Sequence, residues 1–294
     1  MVRTSIHAGV WSTDPDPEKV ARVLAEVAAT GFECLALPLR NLPTLRPDAL
    51  SAQFRRAGII PLGTTGLPAG ADVSSDDAER RNKGEQHLRR VVAVARDIGV
   101  EQVNGVLYGP LGHAGQPVDA DARRRSAEVV SRTADAAAQA GVRLCVELVN
   151  RYETAMLNSV EQGREYLALV DHPNVRLHVD TYHMAIEERD PVGAVRAALP
   201  VLGYFELDQS HRGRLDEGSL DLRAFAEPVR TSGYDGLVGV EAFSRSGLAP
   251  DHANVLSIWR DQFKDGTALA HQAMGLIREI FGGAESASRS VATR

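Results

Sequence analysis

Four acidic residues end or follow short apolar runs in the second half of the chain. Glu147 ends "RLCVE", Asp180 ends "VRLHVD", Glu206 lies in "YFEL" and Glu241 follows "LVGV". A single acidic residue in such a place is more often solvated or paired than functional. Four carboxylates brought together away from water would repel one another strongly, and a divalent cation that prefers oxygen ligands is their natural counterion. The four residues are therefore candidate metal ligands.

Two further polar residues follow these runs. His183 comes three residues after Asp180, and Arg212 lies in "SHRG", shortly after Glu206. On a loop above the acidic residues, His183 can bind a substrate oxygen or the metal; we favour substrate contact because carboxylates already fill the metal's protein positions. Arg212 carries a fixed positive charge that can hold substrate oxygens or form a surface salt bridge.

The elements that must position these residues alternate regularly. Short apolar or β-branched runs alternate with longer segments of helical periodicity, such as "GEQHLRRVVAVARDIG", which is typical of a parallel α/β fold. The junctions "ATGFE", "RAGII", "DIGVE", "QAGVR" and "TSGYDG" each join a helix end, a glycine and a new strand. The predicted strands are residues 4–9, 32–38, 58–65, 101–107, 142–148, 175–180, 203–207 and 236–243.

Eight such units, spaced by about 30 to 35 residues, predict a single (β/α)8 TIM barrel rather than a doubly wound sheet. A doubly wound nucleotide-binding sheet would favour a glycine-rich phosphate-binding motif, and neither G-x-G-x-x-G nor G-x-x-x-x-G-K-[ST] is present. We expect the barrel domain to span residues 1–283 and the small, polar segment 284–294 to be a disordered tail. The carboxyl ends of the strands in such a barrel meet at one end, where the chemistry takes place, so the four acidic residues should converge there.

The composition narrows the range of partners and locations. With 44% apolar and 24% charged residues the chain resembles an ordinary globular protein, and its net charge of −6 argues against nucleic acid as a partner. The two cysteines lie in apolar runs, which favours buried free thiols in a reducing compartment. No signal-peptide pattern and no apolar run near roughly 18 residues occurs, so we expect a cytoplasmic protein without a membrane partner.

At these residues the sequence resembles the ketose 3-epimerases of the D-tagatose 3-epimerase and D-allulose 3-epimerase group, which have xylose-isomerase-like TIM barrels. The segment "VELVNRYET" is similar to that family's strand-five motif with its metal-binding glutamate, and "HVDTYHMAIEE" is similar to its strand-six motif. "SGYDGLVGVEAF" resembles the run that ends in the family's catalytic glutamate. The resemblance spans nearly the whole chain.

The resemblance implies Glu147, Asp180 and Glu241 as metal ligands, with Glu147 and Glu241 also acting as the acid/base pair. It implies Mn²⁺ as the metal, with Co²⁺ or Mg²⁺ as substitutes, and a homodimer or homotetramer. Where this family carries a metal-binding histidine in strand seven, the chain has Glu206. The extra negative charge favours hard ions such as Mg²⁺ or Mn²⁺.

The resemblance also implies six residues that contact the sugar. Those that hold its O1 and O2 oxygens are Glu153, His183 and Arg212. Those that line its apolar side are Trp11, Tyr108 and Phe243.

The same residues suit a proton transfer next to a ketone. A metal that chelates the carbonyl and the neighbouring hydroxyl stabilises an enediolate, and two carboxylates on opposite faces can then invert C3 of a ketose or keto-sugar acid without an organic cofactor. Aldose–ketose isomerisation, or decarboxylation of an oxo-sugar acid, would use the same intermediate. A non-catalytic sugar-binding protein is a further alternative, whereas the acidic balance disfavours a DNA-repair nuclease.

Overall fold

The eight predicted strands form one closed parallel barrel in the computed structural model, which describes residues 2–282. Each strand pairs with the next along the chain, and the last pairs with the first. The strands are β1 (Arg3–His7), β2 (Cys34–Pro38), β3 (Ile60–Thr64), β4 (Gln102–Gly105), β5 (Arg143–Glu147), β6 (Val175–Asp180), β7 (Leu202–Leu207) and β8 (Leu237–Val240). The predicted TIM barrel is confirmed.

Within the described residues, at least one α-helix follows every strand. The helices are α1 (Pro17–Thr30), α2 (Pro47–Ala57), α3 (Ala78–Ile98), α4 (Ala120–Gln139), α5 (Val160–Val170), α6 (Thr181–Glu187), α7 (Pro191–Ala198), α8 (Leu222–Thr231), α9 (Pro250–Val255) and α10 (Gly266–Phe281). None of these helices is both long enough and apolar enough to cross a membrane.

Most predicted strands are longer than the observed ones because the apolar runs continue into the loops at both barrel ends. Glu241, for example, is the first residue after β8. The predicted tail, residues 284–294, lies outside the part of the chain that the structure describes.

The glycines of the predicted helix-to-strand junctions all have positive φ angles, which glycine adopts at little cost and which turn the chain from a helix into the next strand. They are Gly31 (85°), Gly58 (68°), Gly99 (91°), Gly141 (72°) and Gly233 (74°). After α4 the C-cap is Ala140 rather than the predicted Gly141, which is the next residue.

The apolar stripe predicted for α3 faces the barrel. Its members are buried, and they are Leu88, Val91, Val92, Ala95 and Ile98. Both cysteines are buried and free, and burial raises the pKa of each thiol to about 12. The two thiols therefore belong to the core and are unreactive.

A register shift in the barrel sets the alignment of the site residues. Between β6 and β7 the register shifts at Leu177 and His178, so Gly203 is an extra residue on β7, as in a β-bulge. Beyond this shift, Asp180 pairs directly with Glu206. Two predicted metal ligands thus lie side by side on neighbouring strands.

Replacing Gly105 with alanine tests the close approach of β3 and β4. Gly105 ends β4 with a φ of 125°, and an added Cβ would overlap the backbone carbonyl oxygen of Thr65. We expect Gly105→Ala to lower the free energy of unfolding in urea by roughly 2 to 4 kcal/mol, because backbone strain and overlap add.

The matched control is Gly115→Ala, since a Cβ there meets no atom within 4 Å. This variant should stay within about 0.5 kcal/mol of the wild type. Equal stability of the two variants would contradict the close approach.

Candidate active site

A deep pocket opens at the carboxyl ends of the strands. Predicted site residues line it, namely Glu147, Glu153, His183, Arg212, Glu241 and Phe243. The other two predicted metal ligands, Asp180 and Glu206, are fully buried beside them. Loops after several strands thus bring the predicted residues to one pocket, as the barrel topology requires.

All four predicted metal ligands belong to one connected cluster. Its donor atoms form overlapping groups of three, within each of which the atoms lie within 4.8 Å of one another. The groups are His7, Glu206 and Glu241; Glu147, His178 and Glu206; Glu147, Asp180 and His183; and Asp180, Asp208 and Glu241. We call these residues the carboxylate cluster.

Two histidines hold Glu206 within the cluster. His178 Nε2 lies 2.9 Å from Glu206 Oε2, and His7 Nε2 lies 3.1 Å from Oε1. Burial alone would raise the pKa of Glu206, but the two imidazoles lower it below its ordinary value. Burial likewise would lower the pKa of His7, yet the charge of Glu206 raises it. Glu206 is therefore ionised, and its charge is largely matched within the protein.

Arg212 joins the other side of the cluster to the pocket wall. Its Nε donates to Asp208 Oδ2 at 3.0 Å, its Nη2 contacts Glu241, and its Nη1 lies 3.8 Å from Glu153 Oε1. Burial alone would lower the pKa of Arg212, but the negative charges of Asp208 and Glu153 outweigh it and raise the pKa above its ordinary value. The guanidinium therefore stays charged. Burial raises the pKa of Asp208 to about 7, although the positive charge of Arg212 lowers it.

The guanidinium of Arg212 is also fixed sterically. It lies over the rings of Tyr182 and Phe243, 4.7 Å and 4.9 Å from their centroids. The Arg212 backbone has a φ of 57°, unusual for a residue with a side chain, and its carbonyl accepts a hydrogen bond from Phe243 N at 2.8 Å. Local strain at such a position is typical of functional sites.

His183 lies in the first turns of α6 rather than on a loop as predicted. Its Nδ1 accepts a hydrogen bond from Asn150 N at 3.1 Å, so the neutral ring carries its proton on Nε2. That Nε2 lies 3.6 Å from Glu147 Oε1. Burial, with Arg212 and His178 nearby, lowers the pKa of His183 well below its ordinary value. His183 is therefore a neutral hydrogen-bond donor at the pocket.

Trp11 and Tyr108 do not line the pocket, in contrast to the sequence expectation. Tyr108 is fully buried, and its hydroxyl donates to the Glu147 carbonyl oxygen at 2.7 Å. The Trp11 indole nitrogen donates to Thr267 Oγ1 at 3.0 Å. Tyr108 thus braces the backbone of a site residue, while Phe243 supplies the apolar wall.

Three residues of the cluster were not among the predicted site residues, namely His7, His178 and Asp208. His178 precedes Asp180 by two residues in β6, so strand alternation puts both side chains on the barrel interior. The same alternation relates Asp208 to Glu206 near the end of β7. His7, the last residue of β1, could have been found only by asking which residue of that strand faces the acidic ones.

The cluster fits a divalent cation. Asp180 Oδ2 is buried without a hydrogen-bond partner among the described residues. Such acceptors are costly unless a donor or a cation approaches them. Carboxylate oxygens together with imidazole nitrogens suit ions such as Mn²⁺.

A closed parallel (β/α)8 barrel with ionisable side chains gathered at the carboxyl ends of its strands defines a TIM-barrel enzyme. The model of the xylose isomerase-like TIM barrel family matches residues 24–272, and the chain belongs to this family.

Three relatives show the closeness of the match. A ketose 3-epimerase of Arthrobacter globiformis is 33% identical over 278 residues, covering 95% of this chain and 96% of the relative. An L-ribulose 3-epimerase of Methylomonas sp. (strain DH-1) is 34% identical, covering 94% and 96%. The structure of a D-allulose 3-epimerase from Methylomonas sp. in complex with D-allulose has a TM-score of 0.92 at 32% identity and covers 95% of this chain and 97% of that one. Such epimerases are carbohydrate isomerases, which confirms the predicted enzyme class.

The contact between Glu206 and His178 predicts strong coupling between the two residues. In EDTA-treated protein, His178→Phe should lower the free energy of unfolding by about 3 kcal/mol, because it leaves a buried carboxylate without one of its hydrogen-bond partners. In a Glu206→Gln background the same change should cost about 1 kcal/mol, since no carboxylate is left without its partner.

A control cycle uses His172 and Asp135, 3.3 Å apart, whose carboxylate is 69% exposed. Its coupling energy should be below about 0.5 kcal/mol. Additive effects of His178→Phe and Glu206→Gln in urea unfolding would show that the two side chains do not hold each other.

Proposed function

We propose that this protein is a metal-dependent epimerase that inverts C3 of a ketose or keto-sugar acid. The position of Glu147 and Glu241 carries this proposal. Both carboxylates line the pocket; Glu147 ends β5 and Glu241 follows β8, which stands three positions further round the barrel. They therefore face a substrate in the pocket from different sides, as inversion of a carbon requires. The relatives named ketose 3-epimerase and L-ribulose 3-epimerase support this reaction.

The reaction needs stabilisation of the negative charge that develops when a proton leaves the carbon next to a ketone. A bound divalent cation would supply that stabilisation as a Lewis acid. One of Glu147 and Glu241 removes the C3 proton, and the other returns a proton to the opposite face of the planar enediolate. No organic cofactor enters this scheme.

The proposed ligands of the cation are Glu147, Asp180, Glu206 and Glu241, and Mn²⁺ is the proposed metal, with Mg²⁺ or Co²⁺ as substitutes. His178 Nε2 lies 2.9 Å from Glu206 Oε2 and His7 Nε2 lies 3.1 Å from Oε1, and each carboxylate oxygen keeps a second lone pair with which it can bind the cation. Replacing a histidine ligand with a carboxylate adds negative charge, and that charge raises the pKa of His7 beside Glu206, which favours a compensating imidazolium.

The proposed substrate contacts follow from the pocket wall. His183 donates its Nε2 proton to a substrate oxygen, while Arg212 and Glu153 hold the neighbouring oxygens at the reacting end of the sugar. Phe243 covers the apolar side of the sugar. We expect the enzyme to act in the cytoplasm as a homodimer or homotetramer.

Solvent exchange tests the proposal. Mn²⁺-loaded protein in D₂O should incorporate deuterium at C3 of a ketose, with D-allulose, D-fructose, L-ribulose and D-fructuronate as trial substrates, and NMR should show the C3 epimer. Glu147→Gln and Glu241→Gln should each lower the exchange rate by about 10² to 10⁴, the usual contribution of a general acid or base. Glu165→Gln, on the exposed face of α5, is the matched control and should exchange at the wild-type rate.

Absence of exchange with every trial substrate would refute the proposed epimerase. An aldose product would indicate isomerisation instead, and loss of CO₂ from the keto acid would indicate decarboxylation. Sugar binding that survives both glutamine variants without any turnover would indicate a binding protein.

A further inference from the structure

The active-site pocket continues at its outer end into a wider groove. The inner pocket has a volume of about 80 Å³ and the groove about 690 Å³. The groove is of the size of ordinary small-molecule sites, roughly 300 to 1,000 Å³. Thr13, Pro38, Arg40 and His252 line both spaces, so the inner pocket and the groove meet at these four residues.

Arg40, two residues after β2, is the unmatched charge at this junction. Its side chain forms no hydrogen bond and no ion pair with any residue between 2 and 282, whereas Arg212 in the same pocket contacts three carboxylates. Nearby protein atoms lower the pKa of Arg40 by desolvation, but an arginine stays charged throughout the physiological range. The Arg40 side chain is exposed at the wall of both spaces, and a guanidinium without a counterion beside a ligand pocket favours an anionic ligand.

The neighbouring groups leave the charge of Arg40 unmatched. Burial, with Arg40 itself next in importance, lowers the pKa of His252 to about 4, so this imidazole is neutral and can serve as a hydrogen-bonding group. Of the two acidic residues that line the groove, Asp14 is bound to Lys19 Nζ at 2.5 Å. The other, Asp251, is an exposed residue in the first turn of α9 and forms no ion pair with Arg40.

One aromatic ring separates this junction from the carboxylate cluster. The Phe243 centroid lies 6.3 Å from that of His7 in the cluster and 6.4 Å from that of His252. A sugar chain that lies along Phe243 with its ketone at the cluster would therefore direct its last carbon towards Arg40 and His252.

We infer that Arg40 forms a subsite for an anionic group, a carboxylate or a phosphate, at the end of the substrate remote from the reacting carbon. The preferred substrates are then keto-sugar acids or ketose phosphates rather than neutral ketoses. The inference rests on the proposed function for the reaction that the bound substrate undergoes. Binding of the anionic group at Arg40 does not depend on that reaction and can be measured separately.

The test compares neutral and anionic probes in the metal-loaded wild type and Arg40→Gln. The probes are D-fructose, D-fructose 6-phosphate and D-fructuronate, with kcat/KM from C3 exchange and dissociation constants from calorimetry. Wild type should favour at least one anionic probe over D-fructose by 10-fold or more, and Arg40→Gln should reduce that preference 10- to 100-fold, as expected for a lost charge-assisted pair. Which anion is preferred distinguishes a carboxylate from a phosphate.

Two control variants sharpen the test. Arg46→Gln changes an exposed arginine in the same connection between β2 and α2 and should keep the wild-type preference. Arg40→Lys keeps the charge but loses the forked geometry, so it should retain part of the preference. Arg40→Gln should unfold at the wild-type temperature, because the side chain makes no polar contact with the residues that the structure describes.

The outcomes separate the subsite from the reaction. Equal binding of neutral and anionic probes, unchanged in Arg40→Gln, would overturn the subsite even if C3 exchange with D-fructose is rapid. Binding of an anionic probe that depends on Arg40, without any exchange, would support the subsite and refute the proposed epimerase.

Discussion

The burial of like charges at one end of the barrel is the constraint on which the site depends. Asp180, Glu206 and Asp208 are fully buried, and Glu241 is 6% exposed, beside Glu147. Carboxylates that are this close together and shielded from solvent need protons, basic side chains or a cation to offset their repulsion. The identity of the compensating group at each oxygen therefore decides what the pocket can do.

The compensation is uneven around the cluster. Glu206 lies between two imidazoles, and Arg212 contacts Asp208 and Glu241. Asp180 forms no ion pair with any basic residue of the described chain, and burial, followed by the charges of Asp208 and Glu206, raises its pKa well above the ordinary value. A divalent cation bound at Asp180 would therefore offset the most charge repulsion. Asp180 pairs with Glu206 in the register of the barrel.

Much of this arrangement could be predicted from the sequence, and the rest depends on register and packing. Short apolar or β-branched runs and glycine junctions predicted eight strands, and the acidic residues at the strand ends predicted that Glu147, Asp180, Glu206 and Glu241 converge. The contact of His7 with Glu206 joins two strands 199 residues apart along the chain, as the Tyr204 to Ser5 hydrogen bond does, and only barrel closure creates it.

The sequence also did not reveal in which direction individual side chains point. The hydroxyl of Tyr108 reaches a backbone carbonyl and not the pocket, because the Tyr108 ring packs into the core. Arg40 lies in a loop without any recognisable pattern, so the proposed subsite follows only from its position between two cavities and from the lack of a partner for it within residues 2–282.

The most direct test of the account is a crystal structure of the protein grown with Mn²⁺, with diffraction recorded on both sides of the manganese absorption edge. We predict one strong anomalous peak within bonding distance of carboxylate oxygens of Glu147, Asp180, Glu206 and Glu241, with His178 still hydrogen-bonded to Glu206. A pocket without a peak, or a peak that Glu206 does not reach, would contradict it.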